Sequence, residues 1–353
     1  MTELLEKHFA DRLAEAVARA GAPTVVGIDP DFDRLPGELR DRPQRTARAS
    51  DQLDAIFQFA AGVLAAVAPV TAAVKFQSAY FERFHGDGVD AYYSLIHEAR
   101  TLGLLTIGDV KRGDIGSTAQ AYAAAHLLEP AGQSSADGEQ IPLAGDVRLG
   151  GDAFAGQSLG QDVLAEPDRA APDAVTVNPY LGIDGVAPFI TTAAELGKGV
   201  FVLVRTSNKS AGQLQDFADA SGKKLYEHAA DLVESWAADK ALIGQCGYSL
   251  VGAVVGATWP AQARELRGRM PHCIVLVPGY GAQGATADDC MASFKPDGTG
   301  AIVNASRSIL YAFEREPYRA KFGPDWQGAV AAAARDFRDD LARAIAKHKE
   351  AGG

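Results

Sequence analysis

The chain has few of the residues that build disulfide or metal frameworks. Its three cysteines, Cys246, Cys273 and Cys290, form no CxxC pair and leave an odd count, which disfavours a disulfide scaffold or a zinc site and fits a reducing cytoplasm. Seven scattered histidines show neither HxH nor HExxH spacing, so no metal cluster is expected. Basic residues are also in deficit: 34 Lys and Arg face 45 Asp and Glu, a formal net charge of −11. A chain this acidic lacks the broad positive field that nucleic acids or anionic membranes require, although backbone N–H groups and one or two cations can still hold a phosphate. Glu3, Glu6, Lys7, Asp11 and Arg12 leave no apolar signal-peptide core at the start. Two long uncharged runs, Ala55–Val74 and Ala241–Ala263, are broken by Pro69 and by Gln245, Pro260 and several glycines, and read as helix, turn and buried strand rather than membrane spans.

What is present is apolar and ordered. Hydrophobic residues make up 47% and charged residues 22% of 353, enough for a large core. Eight short β-branched runs recur: Thr24–Asp29, Ala72–Phe76, Leu105–Lys111, Ala174–Asn178, Val200–Thr206, Val251–Ala257, Ile274–Val277 and Ala301–Asn304. Near-continuous apolar strands alternating with helices mark a parallel sheet buried on both faces. Helical periodicity follows most of them, at Gln52–Ala68, Ala91–Leu102, Thr118–Leu128, Tyr226–Ile243 and Gln327–Ala346; an opening helix carries Leu5, Phe9, Leu13 and Val17 and stops at Gly21. Eight units and no GxGxxG after the first strand favour a (β/α)8 TIM barrel over an open doubly wound sheet. Residues 1–353 are read as one barrel domain, with an insertion at about 129–172 between units three and four and a C-terminal extension after about 313. A smaller excursion spans Lys209–Lys224.

Barrel enzymes carry their chemistry where the strands end. There lie Asp29, Lys75, Asp109, Lys111 and Asp114. Asp109 and Lys111 are two apart on a strand and so share a face. Buried charges require partners, which makes Lys75, Asp109, Lys111 and Asp114 an expected network of alternating sign, directed at a substrate rather than at stability alone. Lysines among the carboxylates oppose Mg²⁺ at this point. Independently, barrels of this kind often bind phosphate after strands seven and eight, where the chain reads PGYGAQG, with Gly279, Gly281 and Gly284, and then NASRS, with Arg307.

The D-x-K-x-x-D pattern of Asp109, Lys111 and Asp114 resembles the signature of the orotidine 5′-phosphate decarboxylase family, in the fuller form DVKRGDIGSTAQAY of its longer bacterial branch. GIDPD, VKFQSAYFERFH, VNPYLG, VRTSN, PGYGAQG and SRSILYA match in order over residues 27–313. The resemblance implies decarboxylation of orotidine 5′-phosphate to uridine 5′-phosphate in de novo pyrimidine synthesis, without metal or other cofactor, in a cytoplasmic homodimer with shared active sites. By the same resemblance Lys111 stabilises and protonates the C6 carbanion, Asp109 holds Lys111, and Lys75 orients the site and touches the ribose. Asp114, Ile115 and Thr118 come from the neighbouring subunit, Asp29 binds ribose hydroxyls, Gln283 bridges phosphate and base, and Gly281, Gly284 and Arg307 take the phosphate. Where many relatives carry a serine or a histidine-containing segment this chain has Asn178, Pro179 and Tyr180, and Asn178 is assigned to the pyrimidine edge. Arg205 is left between a structural salt bridge and a ligand contact. The alternative reading is a Mg²⁺-dependent sugar-phosphate decarboxylase or epimerase of the same barrel group; a Schiff-base aldolase is disfavoured because flanking carboxylates keep a lysine charged.

Overall fold

The computed structural model describes residues 7–46, 48–129 and 169–352, with 42–46 as backbone only. Eight parallel strands close into a barrel in sequence order: β1 Thr24–Ile28, β2 Ala73–Gln77, β3 Leu105–Arg112, β4 Ala174–Val177, β5 Gly199–Arg205, β6 Val251–Val255, β7 Val275–Pro278 and β8 Ala301–Ala305. Each expected apolar run is a strand, within one or two residues at either end. Most of the insertion expected at about 129–172 lies outside the described residues. Its two flanks are tied together by Glu129, which accepts from Lys198 Nζ at 3.1 Å, Arg100 at 2.9 Å and the Ala171 backbone N–H at 2.8 Å.

Side-chain alternation sorts the strands into two cores. Val25, Ala73, Ile107, Ala174, Phe201, Leu276 and Ile302 pack with Phe9, Leu13 and Ala16 of the first helix, Phe9–Ala20. Val26, Val74, Val175, Val202, Val277 and Val303 pack outward against the helical layer. The inner series continues along β2 from Ala73 to Lys75 and along β3 from Ile107 to Asp109. On β4 it passes from Ala174 to Thr176, so strand periodicity alone carries these three polar side chains toward the barrel mouth.

The outer layer explains the apolar run of the second segment. Ala49–Val70 is long and apolar enough to cross a membrane. Its helix Ala49–Val67 instead buries Leu53, Ile56, Phe59, Val63, Leu64 and Val67 in the core. Phe59 stacks on Tyr311 at 6.0 Å and meets Trp326 at 5.1 Å, which fastens the 27-residue C-terminal helix Trp326–Gly352 to the barrel. Phe59→Ala is expected to destabilise the protein by about 3–5 kcal/mol in denaturant unfolding, from lost burial and the cavity left among these rings.

One helix differs from its expected bounds, and one open assignment is decided. The helix expected over Tyr226–Ile243 is Leu225–Ala237; Asp239 then caps a separate 3₁₀ turn, Lys240–Leu242, and Ile243 bridges to Ser249. Arg205 resolves as structural: fully buried, it donates to Gln262 at 2.8 Å, pairs with Asp216 at 3.1 Å and lies 4.6 Å from the Trp259 ring centre.

Candidate active site

Asp109 is the hub of the barrel mouth. Its Oδ2 accepts from Lys75 Nζ at 2.6 Å and Gln77 Nε2 at 3.2 Å, and its Oδ1 accepts from Lys111 Nζ and from Thr176 Oγ1 at 2.9 Å. Lys75 and Asp109 are buried, at 5% and 7% exposure, whereas the Lys111 side chain is 44% exposed. The electrostatics follow from that contrast. Burial pushes the Asp109 carboxyl up, but Lys75 and Lys111 outweigh it and hold the group well below the usual carboxylate range. Burial works against the charge on Lys75, yet Asp109 and then Asp29 raise its proton affinity above that of a free lysine. Two cations thus share the Asp109 carboxylate, and the more exposed of them, Lys111, faces solvent.

The backbone at Lys111 is unusual for a residue with a side chain. Its φ is +45°, in the left-handed region, and the β3–β4 register shifts between Gly108 and Arg112. Such a conformation costs on the order of 1–3 kcal/mol and persists where neighbours impose it. Here the Lys111 N–H donates to Thr176 Oγ1 at 3.0 Å, so one threonine holds both the hub carboxylate and the lysine backbone. The regular strand pattern is therefore broken at Lys111, and a bulge, not simple alternation, brings its ammonium to Asp109.

Asp114 and Ile115 sit just beyond, on the loop entering the helix Gly116–Leu127, and Thr118 lies in the first turn of that helix. Asp114 accepts its neighbour's backbone N–H at 2.8 Å, from Ile115, and makes no ion pair with Lys75 or Lys111 within this chain. Asn178 follows β4 and is exposed; its Oδ1 accepts from the Tyr180 backbone N–H at 3.0 Å. Asp29 follows β1 beside Lys75, and its Oδ1 is buried with no hydrogen-bond partner among the described residues. Tyr80 lies between these groups: burial first, then Asp29 and Asp31, raise its hydroxyl above the ordinary tyrosine range, while Arg307 and Arg34 oppose them.

The β7 and β8 loops converge on a second polar patch. Gly281 and Gly284 have φ of +71° and +93°, and a tight turn forms as the Gly281 N–H donates to Ala285 O and the Gly284 N–H to Gly281 O, both at 2.9 Å. A Cβ on Gly281 would stand 3.1 Å from Ser308 Oγ. A Cβ on Gly279 would approach Gln283 Oε1 at 3.3 Å and Thr258 Cγ2 at 3.6 Å. Gln283 and Arg307 are exposed at this rim. The hydroxyls of Thr258, Ser306 and Ser308 are buried yet have no partner among the described residues. Unpaired buried hydroxyls are costly in a finished core and suit a place where a polar ligand completes them.

Sequence reasoning missed Thr176, Gln77, Tyr80 and these three hydroxyls. Thr176 was visible as the one polar residue within the strand AVTV, and Ser306 and Ser308 flank Arg307; nothing local marks Thr258. A surface cleft of about 390 Å³ lined by Arg34, Glu38, Glu314 and Trp326 contains none of the lysines, the hub carboxylate or the loop hydroxyls. The cysteines carry no disulfide, and burial pushes the Cys290 thiol up to about 12.

A family model described as Orotidine 5′-phosphate decarboxylase / HUMPS family matches residues 165–319. The Rhodopirellula baltica protein named orotidine 5′-phosphate decarboxylase is 40% identical over 337 residues, 94% of this chain and 98% of its own length. A Clostridium perfringens protein of the same name is 33% identical over 339 residues, 96% and 100% of the two chains. The solved OMP decarboxylase of Leishmania donovani is 25% identical with a TM-score of 0.65, covering 96% of this chain and 99% of that one.

Proposed function

The chain belongs to the orotidine 5′-phosphate decarboxylase family of carboxy-lyases, and from that premise we propose how its site removes CO₂ from orotidine 5′-phosphate to give uridine 5′-phosphate in de novo pyrimidine synthesis. The observation that carries the reading is the Lys75–Asp109–Lys111 network at the ends of β2 and β3. When the C6–carboxylate bond breaks, its electron pair stays in an sp² orbital on C6 with no adjacent carbonyl to accept it. The Lys111 ammonium stabilises that charge and then donates its proton to C6, completing the product as CO₂ departs. Asp109 keeps Lys111 charged and aimed, and Lys75 balances the hub and faces the ribose. With both Asp109 oxygens already bonded to ammonium groups, the carboxylate has little left to offer Mg²⁺.

The phosphate is assigned to the Gly281–Gly284 turn, Gln283 and Arg307, with the unpaired hydroxyls of Thr258, Ser306 and Ser308 as further donors. Asp29 takes the ribose hydroxyls, and the Asn178 amide, whose oxygen its own loop occupies, donates to the base. Arg307→Ala is expected to raise KM roughly 10- to 100-fold with kcat nearly unchanged, the signature of lost binding that is equal in ground and transition states. Steady-state kinetics on the folded variant check this.

A homodimer completes the site in this reading. Support comes from Asp114, which meets no cation among the described residues, and from the exposed apolar side chains Ile115, Tyr180, Leu181 and Ile183 beside it. Asp114, Ile115 and Thr118 then reach the partner's substrate. Repulsion between Asp114 and the departing carboxylate contributes at most about 4 kcal/mol at 4 Å and an effective dielectric of 20, so stabilisation by Lys111 is the larger effect. Lys111→Ala and Asp114→Ala should each be inactive, while an equal mixture of refolded subunits recovers about a quarter of wild-type activity in hybrid dimers. A mixture as inactive as its parents would contradict shared sites. The cytoplasm is the proposed compartment, consistent with three unpaired cysteines. The reaction itself is tested by chromatography: orotidine 5′-phosphate should convert one for one to uridine 5′-phosphate and CO₂.

A further inference from the structure

Asp29 presents a difficulty for the reading just given. A carboxylate that binds ribose must be held still, yet its buried Oδ1 has no partner among the described residues. The fixing comes through the backbone. The buried Tyr311 hydroxyl accepts the Asp31 N–H at 2.7 Å and donates to the Asp29 carbonyl at 3.0 Å. One oxygen thus spans both sides of Pro30 and sets the turn from which the Asp29 side chain leaves. The ring that carries this hydroxyl is itself immobilised. Phe59 stacks on it, and the Arg34 guanidinium lies 3.7 Å from its centre, anchored to Glu314 at 2.5 Å. Arg34 also belongs to the same loop, so Tyr311 grips the 29–34 segment at two levels.

We propose that Tyr311 is a positioning residue that clamps the Asp29–Asp31 turn and thereby aims the Asp29 carboxylate at the ribose; this rests on Asp29 being the ribose-binding group. The hydroxyl acts as donor and acceptor at once, so Tyr311→Phe removes both bonds while the ring remains. It is expected to lower kcat/KM for orotidine 5′-phosphate roughly 10- to 100-fold, because small misplacements of an orienting group have effects of that size. Most of the loss should appear in KM.

The decisive comparison is a double-mutant cycle with Asp29→Asn. If Tyr311 acts through Asp29, Tyr311→Phe adds almost nothing in the Asp29→Asn background; a purely structural tyrosine gives additive losses. Additivity would overturn the proposal. Amide hydrogen exchange of the peptide covering residues 29–34, in ligand-free protein, gives a reading independent of the reaction. Exchange should quicken in Tyr311→Phe, and unchanged exchange would overturn the clamp even if wild-type protein proved to act on another substrate. Should Tyr311→Phe fail to fold, Arg34→Gln, which uncovers the ring and keeps the hydroxyl, should show the same non-additivity at smaller amplitude.

Discussion

Lys111→Ala should abolish decarboxylation while leaving the protein folded. Two losses combine in this variant: the cation facing the developing carbanion and the proton that quenches it. Each is worth between about 10² and 10⁴ in rate, so kcat should fall by at least roughly 10⁴-fold. Folding should change little, since the Lys111 side chain is 44% exposed and Asp109 keeps Lys75, Gln77 and Thr176 as partners. Lys111→Gly should be as inactive but slightly more stable than Lys111→Ala, because glycine accepts a φ of +45° without strain. Activity assays beside urea unfolding of both variants check the separation. Near-native kcat in Lys111→Ala would mean that the proton comes from elsewhere.

Asp109→Ala should be the more damaging change, because it removes activity and stability together. It leaves Lys75, 5% exposed, as a buried cation without its main counter-charge, a situation expected to destabilise by about 3–5 kcal/mol. The pH dependence should reverse as well. In the wild type the Asp109 proton affinity is depressed by folding, so its contribution is complete above the ordinary aspartate range near 4 and is lost as pH falls below it. Lys75, raised by folding, contributes fully below the free-lysine range near 10 and loses that contribution only above it. In Asp109→Ala, burial is opposed mainly by Asp29 alone and is expected to push Lys75 down instead. The unfolded chain then binds more protons than the folded one, and stability should rise with pH toward 10. Urea midpoints across pH 5–10 distinguish the two profiles.

The barrel was legible because parallel strands buried on both faces are written as uninterrupted β-branched runs, and a charge at the end of such a run is conspicuous. Lys75, Asp109 and Lys111 were found that way. The contribution of Thr258 was not, since nothing near it in the sequence marks it, and those of Thr176 and Ser308, though their positions stand out, became clear only where separate strands and loops meet. Tyr311 was hidden for the same reason: it lies 280 residues from Asp31, and only barrel closure brings β1 beside β8. The Lys111 bulge had no signal either, because a left-handed φ at lysine is imposed by Thr176 and the register shift rather than by lysine itself. For Arg205 the polarity was plain but its destination was not; Asp216 and, at the start of the helix Pro260–Arg269, Trp259 and Gln262 decide it.

Two lysines on one aspartate are expected to decarboxylate orotidine 5′-phosphate without help from a metal. The most direct measurement follows the loss of orotidine 5′-phosphate absorbance with purified protein in excess EDTA. Undiminished turnover in EDTA is the expected result; no turnover, or turnover appearing only after Mg²⁺ is restored, would contradict it.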